Sequence, residues 1–278
     1  MDTTVAEAIA ISALEPVDAR VLLRHALNVD DAWLVAHSRD LLTTEQIDQF
    51  AALVVRRRAG EPVAYMTGTR EFFGLEFNVS PAVLIPRPET ELLVEWALER
   101  IAPGANVRVL DLGTGSGCVA ISIARARPHA LVVALDNSVA ALEVARANAR
   151  RHETGNLKVG KSDWFSVVTA ERFNVIVANP PYIAVGDAHL SAGDLRFEPA
   201  AALASGTDGL DAIRLIVAQA PQYLQAGGWL AFEHGYDQAA RCRQLLQDAG
   251  FSQVFSARDL AGIERISGGC LDAPAGKR

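Results

Sequence analysis

The sequence predicts an α/β protein, a doubly wound sheet preceded by a small helical domain. Three observations predict it. From about Pro81 onward, strand-like and helix-like segments alternate in the order required by a parallel sheet covered on both faces. Before that, residues 5–58 place apolar side chains at helical spacing. Between the two, residues 68–79 carry short aromatic and β-branched runs around Gly74, the pattern of a hairpin. The expected organisation is a helical domain over 1–66, a β-hairpin linker over 67–80 and a sheet domain over 81–278.

In the first domain Val21, Leu22, Leu23, Ala26 and Leu27, then Ile47, Phe50, Ala51, Val54 and Val55, recur at intervals of three and four. Thr43 followed by Gln46 has the spacing of a capping box and opens the last of these helices. In the second domain, helices are expected over 89–102, 118–127, 138–152, 209–224 and 238–249. Strands are expected from Val107, over 130–136, from Leu157, from Val175 and over 228–233. The apolar runs, such as 107–112 and 175–178, are strand-sized and far below the roughly 18 residues that cross a bilayer.

Composition narrows the function classes. Half of the 278 residues are hydrophobic, enough for a large core. The start, Met1-Asp-Thr-Thr, has neither the charge nor the apolar stretch of a signal peptide. Three scattered cysteines suggest neither a disulfide framework nor a zinc site, so no metal is expected and a reducing cytoplasm is. With 33 acidic against 26 basic residues, the chain lacks the basic face by which duplex-binding proteins displace counterions. A protein partner is therefore favoured over nucleic acid.

Two segments carry chemistry. The first is Val107-Arg-Val-Leu-Asp111-Leu-Gly113-Thr114-Gly115-Ser116-Gly117, a strand running into a glycine-rich turn where backbone can approach a ligand. The next strand ends in Asp136, roughly 20 residues after the glycines, the interval at which an acid takes ribose hydroxyls in nucleotide-binding βαβ units. Cys118 falls where a dinucleotide fingerprint wants its last glycine, so the tighter pattern favours a mononucleoside-like ligand without a pyrophosphate. No Gly-Lys-Ser/Thr follows, which excludes a P-loop. Asp111 and Asp136 also admit plainer roles, as a turn cap and as an exposed strand end.

The second segment is Val175-Ile-Val-Ala-Asn179-Pro180-Pro181-Tyr182, a buried strand ending in a carboxamide, two rigid residues and an aromatic ring. Ligands of open α/β sheets sit beyond the carboxyl ends of such strands. Asn179 can accept a hydrogen from an NH2 group there, and Tyr182 can cover a flat group. A third strand-end position holds Asp163 and Trp164, either an adenine-binding pair or a helix cap beside a core anchor.

Together these motifs resemble the class I S-adenosylmethionine-dependent methyltransferases. Further stretches narrow the resemblance to the HemK/PrmC family, the peptide chain release factor glutamine methyltransferases. They are Arg56-Arg-Arg58 with Gly60-Glu-Pro62, Gly68-Thr-Arg-Glu-Phe-Phe73, Leu84-Ile-Pro-Arg-Pro-Glu-Thr90, Phe197-Glu-Pro199 and Phe232-Glu-His-Gly235. The match runs from about Ala19 to about Ile266, and the combination is more specific than any one motif. The tail from Gly268 departs from it and is not expected to extend the last strand.

The resemblance implies a Rossmann-like class I methyltransferase sheet closed by an antiparallel pair over 252–257 and 263–267. It implies S-adenosylmethionine as cofactor, S-adenosylhomocysteine as product, and a class 1 release factor as substrate, methylated on the glutamine of its Gly-Gly-Gln motif. The helical domain would engage that substrate. The loop of Gly113, Thr114, Gly115, Ser116 and Gly117 would meet the methionine part, Asp136 the ribose, and Asp163 with Trp164 the adenine. Asn179 would touch cofactor and substrate, with Pro180, Pro181 and Tyr182 completing the substrate side. Arg87 and Glu89 stand either at the rim of the cofactor site or in a salt bridge at a helix start. Phe197-Glu198-Pro199 would order a covering loop, and Glu233 and His234 read as structural. A monomer is the default. Two other readings stay open: a nucleic-acid adenine amino-methyltransferase, since Asn-Pro-Pro-Tyr also occurs in those enzymes, and a cofactor-binding module without catalysis.

Overall fold

The computed structural model describes residues 3–272, which divide into two compact units. The first runs to Thr69 and also includes Ala192–Phe197. Its helices are α1 (Val5–Ile11), α2 (Pro16–Leu27), α3 (Asp31–Ala36), α4 (Thr44–Arg58) and α5 (Val63–Thr67). The Thr43/Gln46 capping box opens α4: the Thr43 hydroxyl accepts from Gln46 N–H while the Gln46 side chain accepts from Thr43 N–H. The apolar stripes read in the sequence meet in one core of Leu22, Leu23, Leu34, Phe50, Val54 and Met66. Short α5 follows Pro62, and its five residues were too few for periodicity to reveal. Within this unit Arg57 bridges Asp18 (2.7 Å) and Asp194 (3.0 Å), which holds the 192–197 segment.

The second unit comprises Arg70–Ser191 and the chain from Glu198 onward. It begins with the hairpin β1 (Thr69–Phe72) and β2 (Leu75–Asn78). Read from sequence as a connector, this hairpin is integral to the unit, because Phe72 and Phe77 are buried in the core of the sheet. The buried Asn148 side chain accepts from Asn78 N–H (2.7 Å) and donates to Asn78 C=O (3.0 Å) and Ser116 C=O (2.9 Å).

The sheet then unfolds in sequence order: a single 3-10 turn (Pro88–Thr90), α6 (Glu91–Arg100), β3 (Arg108–Leu112), α7 (Cys118–Ala126), β4 (Leu131–Asp136), α8 (Val139–Arg151), β5 (Leu157–Lys161) and β6 (Phe173–Ala178). After a stretch of 3-10 turns come α9 (Asp211–Gln219), β7 (Leu224–Glu233), α10 (Ala239–Asp248), β8 (Ser252–Arg258) and β9 (Glu264–Cys270). The strand order is β5-β4-β3-β6-β7-β9-β8, with β9 antiparallel to both neighbours and the rest parallel. Two apolar layers, one on each face, bury the sheet, as a parallel sheet requires.

Several boundaries differ from the sequence reading, among them the strand expected over 228–233, which begins at Leu224. The helix expected over 89–102 starts with the 3-10 turn at Pro88, and the one expected to reach Leu224 ends at Gln219, since Leu224 already pairs with Phe173. The last strand does continue past Ser267: Gly268 and Gly269 pair with Ala231 and Leu230. A Cβ at Gly268 would stand 2.4 Å from the Leu230 oxygen and 2.8 Å from Phe255 Cζ, so glycine is what lets the strand run on between its neighbours. The rest of the tail, 273–278, lies outside the described residues.

Candidate active site

Register places the functional residues in one row. Leu112 pairs with Leu135 on one side and Ala178 on the other, and Ala178 pairs with Phe232. The next residue of each strand, Gly113, Asp136, Asn179 and Glu233, therefore sits at the same level along the carboxyl edge. The chain winds outward through β4 and β5 and returns beside β3 as β6, so this edge contains the topological switch point where α/β sheets bind ligands.

A cavity of about 390 Å3 opens there, within the roughly 300–1,000 Å3 of small-molecule sites. Gly113, Thr114, Gly115, Ser116, Asp136, Asp163, Trp164, Asn179 and Pro181 line it, together with Asp111, Arg87 and Thr90. Gly117, Pro180 and Tyr182 do not line it. Gly117 caps α7 at φ +83°, and a Cβ there would lie 2.9 Å from Ile121 Cδ1 and 3.4 Å from Ala145 Cβ. Its smallness serves the packing of α7 against α8. Pro180 is buried, and Tyr182 turns its hydroxyl to Glu233.

The wall is rigid where a nucleoside would rest. Asp136 accepts Gly115 N–H on one oxygen and Ser138 N–H on the other, both at 2.9 Å, which fixes the carboxylate and leaves further lone pairs for hydroxyl donors. Trp164 stands beside Gly113, whose Cβ, if present, would be 3.6 Å from the indole. It is no helix residue: Asp163 C=O accepts from Ser166 N–H in a turn, with Trp164 at φ +46°. Asp163 is exposed at the rim.

The floor is Asp111, 2% exposed, accepting from the Thr114 hydroxyl at 2.6 Å. Burial, with the Asp136 charge adding to it, pushes its carboxyl up to about 7. Burial also pushes the neighbouring Cys118 thiol up to about 12, so this cysteine is no nucleophile. Arg87 pairs with the buried Glu198 at 2.6 Å and not with Glu89, joining the 84–90 segment to the 198–202 segment, both of which line the cavity.

Beneath Asn179 lies a buried polar chain that the sequence reading did not assemble. Asn179 Nδ2 donates to Thr90 Oγ1 (3.1 Å), Thr90 Oγ1 donates to Glu233 Oε2 (2.6 Å), and Tyr182 OH donates to Glu233 Oε1 (3.0 Å). Glu233 is 2% exposed and its pKa is raised by burial against the opposing hydrogen bonds. Tyr182 is likewise raised by burial and by the Glu233 charge, so its phenol stays protonated. His234, by contrast, faces the β8–β9 pair, hydrogen-bonded to Ser267 and Gly235 C=O, in keeping with a structural role.

The cavity fits S-adenosylmethionine on its own terms: a pinned acid for hydroxyls, an indole for a flat base, and the Asp111 carboxylate for a cation. Seven strands in this order, closed by an antiparallel pair and carrying this cavity, define a class I methyltransferase. The fold agrees with a solved methyltransferase from Pyrococcus furiosus at TM-score 0.55 and 20% identity, covering 80% of this chain and all of that one. Family models match as well, "PrmC N-terminal domain" over residues 8–68 and "Methyltransferase small domain" over 88–208. Among curated relatives, the release factor glutamine methyltransferase of Burkholderia pseudomallei is 54% identical over 96% of both chains. That of Escherichia coli is 43% identical over 90% of both. The chain belongs to the release factor glutamine methyltransferase family.

Proposed function

We propose that this chain transfers the methyl group of S-adenosylmethionine to the side-chain amide nitrogen of the glutamine in the Gly-Gly-Gln motif of class 1 peptide chain release factors, in support of translation termination. The observation that carries this reading is the position of Asn179, on the same cavity wall as Gly113, Asp136, Asp163 and Trp164. Bound there, S-adenosylmethionine would supply an electrophilic methyl group, leaving S-adenosylhomocysteine as its C–S bond gives way to the new N–C bond.

The chain's own residues address the weakness of the nucleophile. An amide nitrogen is poor because its lone pair is delocalised into the carbonyl. Asn179 Oδ1 and the Pro180 carbonyl accept its two hydrogens, orient it and favour a pyramidal, electron-rich nitrogen. Those bonds strengthen as positive charge develops, so they stabilise the transition state more than the ground state. Tyr182, tied through its hydroxyl to Glu233, flanks the amide and excludes water. Asp136 would hold the ribose, Asp163 and Trp164 the adenine, and the 113–116 part of the glycine loop the methionine part. The methylated nitrogen then loses its extra proton to solvent.

The helical domain over 1–66 serves substrate recognition, and the hairpin within 67–80 goes with the methyltransferase domain. The enzyme works as a monomer in the cytoplasm, without stable nucleic-acid binding, in line with a net charge of −7 and three free cysteines. Among the described residues no helix is long and apolar enough to cross a membrane and no cluster could hold a metal ion. The test is incubation with labelled cofactor and a purified release factor, then mass spectrometry of the Gly-Gly-Gln peptide. Methyl gain on that glutamine, lost when it is changed to alanine, supports the reading. No transfer to it, with methylation of adenine in nucleic acid instead, overturns it.

A further inference from the structure

A primary carboxamide is nearly symmetric in shape, so its neighbours decide which end of Asn179 faces the substrate. The Asn179–Thr90–Glu233–Tyr182 chain leaves little choice. Glu233 meets one hydroxyl on each oxygen; burial raises its pKa, but these two hydrogen bonds oppose that shift and favour the ionised carboxylate, which can only accept. Thr90 has a single hydroxyl proton, committed to Glu233 at 2.6 Å in a buried site. Its oxygen can then only accept from the carboxamide, so the atom of Asn179 that meets it must be Nδ2. Oδ1 is left for the hydrogens of an incoming NH2 group.

We propose that Thr90 and Glu233 are positioning residues that set the polarity of the Asn179 carboxamide and thereby aim its acceptor oxygen at the substrate amide. The inference rests on the proposed role of Asn179 in binding the glutamine amide. It extends that role to two residues that touch no reacting atom, 89 and 54 residues away along the chain. Without Glu233 as an obligate acceptor, the Thr90 proton is free to turn to Asn179. The carboxamide then rotates, and an NH2 group faces the substrate NH2. Register supports the arrangement independently: Glu233 and Asn179 follow the paired residues Phe232 and Ala178, and the 3-10 turn at Pro88–Thr90 brings the hydroxyl in from the side.

The test uses the full chain with Thr90→Val, Thr90→Ser and Glu233→Gln. Thr90→Val keeps the shape and removes the hydroxyl, Thr90→Ser restores it, and Glu233→Gln offers a donor where only an acceptor stood. The expected result is a kcat about 10- to 100-fold lower in Thr90→Val and Glu233→Gln, of the order lost when one transition-state contact is misplaced. KM for the cofactor should change far less than kcat, and Thr90→Ser should keep most of kcat. Side-chain amide NMR provides a readout independent of turnover: the Asn179 NH2 protons should be protected from exchange in the parent and in Thr90→Ser, and lose protection in Thr90→Val. Parent-like kcat in both damaging variants, or unchanged Asn179 protection in Thr90→Val, overturns the inference. A parent that methylates no glutamine yet shows this protection pattern overturns the proposed function and leaves the positioning chain standing. If Thr90→Val fails to fold, Glu233→Gln against Thr90→Ser decides the matter through the same two readouts.

Discussion

Replacing Asn148 with alanine tests whether one buried side chain joins the hairpin to the cofactor loop. Asn148 is fully buried on α8 and makes three hydrogen bonds, two with Asn78 at the end of β2 and one with the Ser116 carbonyl between Gly115 and Gly117. A typical intramolecular hydrogen bond contributes about 0.5–1.5 kcal/mol net, and a buried group stripped of its partner costs more than a merely absent bond. Three such bonds put the expected loss at about 3 kcal/mol. The assay is urea unfolding of the full chain followed by tryptophan fluorescence, in which Trp96, Trp164 and Trp229 report on the second unit. Cofactor affinity, measured by calorimetry on the folded variant, should fall as well, because Ser116 lines the cavity. A stability loss below about 1 kcal/mol with parent affinity would show that the hairpin and the loop hold their places without this residue, and would refute the reasoning.

Further outcomes follow from the same geometry. Asn179→Ala should lower kcat by about 100-fold or more while cofactor binding is largely retained, read by methyl incorporation and calorimetry; normal turnover would remove Asn179 from the chemistry. Asp111 in the folded apo chain is raised from 3.8 to about 7, so its contribution to folded stability is full below the unfolded value, declines as pH rises above it and is lost as pH passes through about 7. A bound cation favours the ionised form, so cofactor affinity should rise between pH 6 and 8, and Asp111→Asn should flatten that rise in calorimetry at stepped pH. His234 is buried with a lowered pKa, while the unfolded chain takes up a proton near pH 6.5. Its contribution to stability is full above that pH and declines as pH falls below it, which denaturation midpoints between pH 5 and 8 should show and a His234→Gln variant should lack.

The periods and punctuation of the sequence determined the local structure. Alternating apolar runs specified parallel strands, glycines after Leu112 specified the turn into α7, and the Thr43/Gln46 pair announced α4, because each is a property of a few consecutive residues. The same locality made much of the cavity wall legible: Gly113, Asp136, Asp163 and Asn179 lie at or just beyond strand ends, and strands of one parallel sheet end on one edge. What the sequence could not reveal depends on atoms brought together from far apart. The hairpin reads as a connector until Phe72 and Phe77 are seen in the core. Gly117 reads as a ligand contact until Ile121 and Ala145 are found against it. The polarity of Asn179 depends on hydroxyl and carboxylate partners from a 3-10 turn and from β7, since the direction of a hydrogen bond is a property of the whole chain of donors and acceptors and not of any one segment.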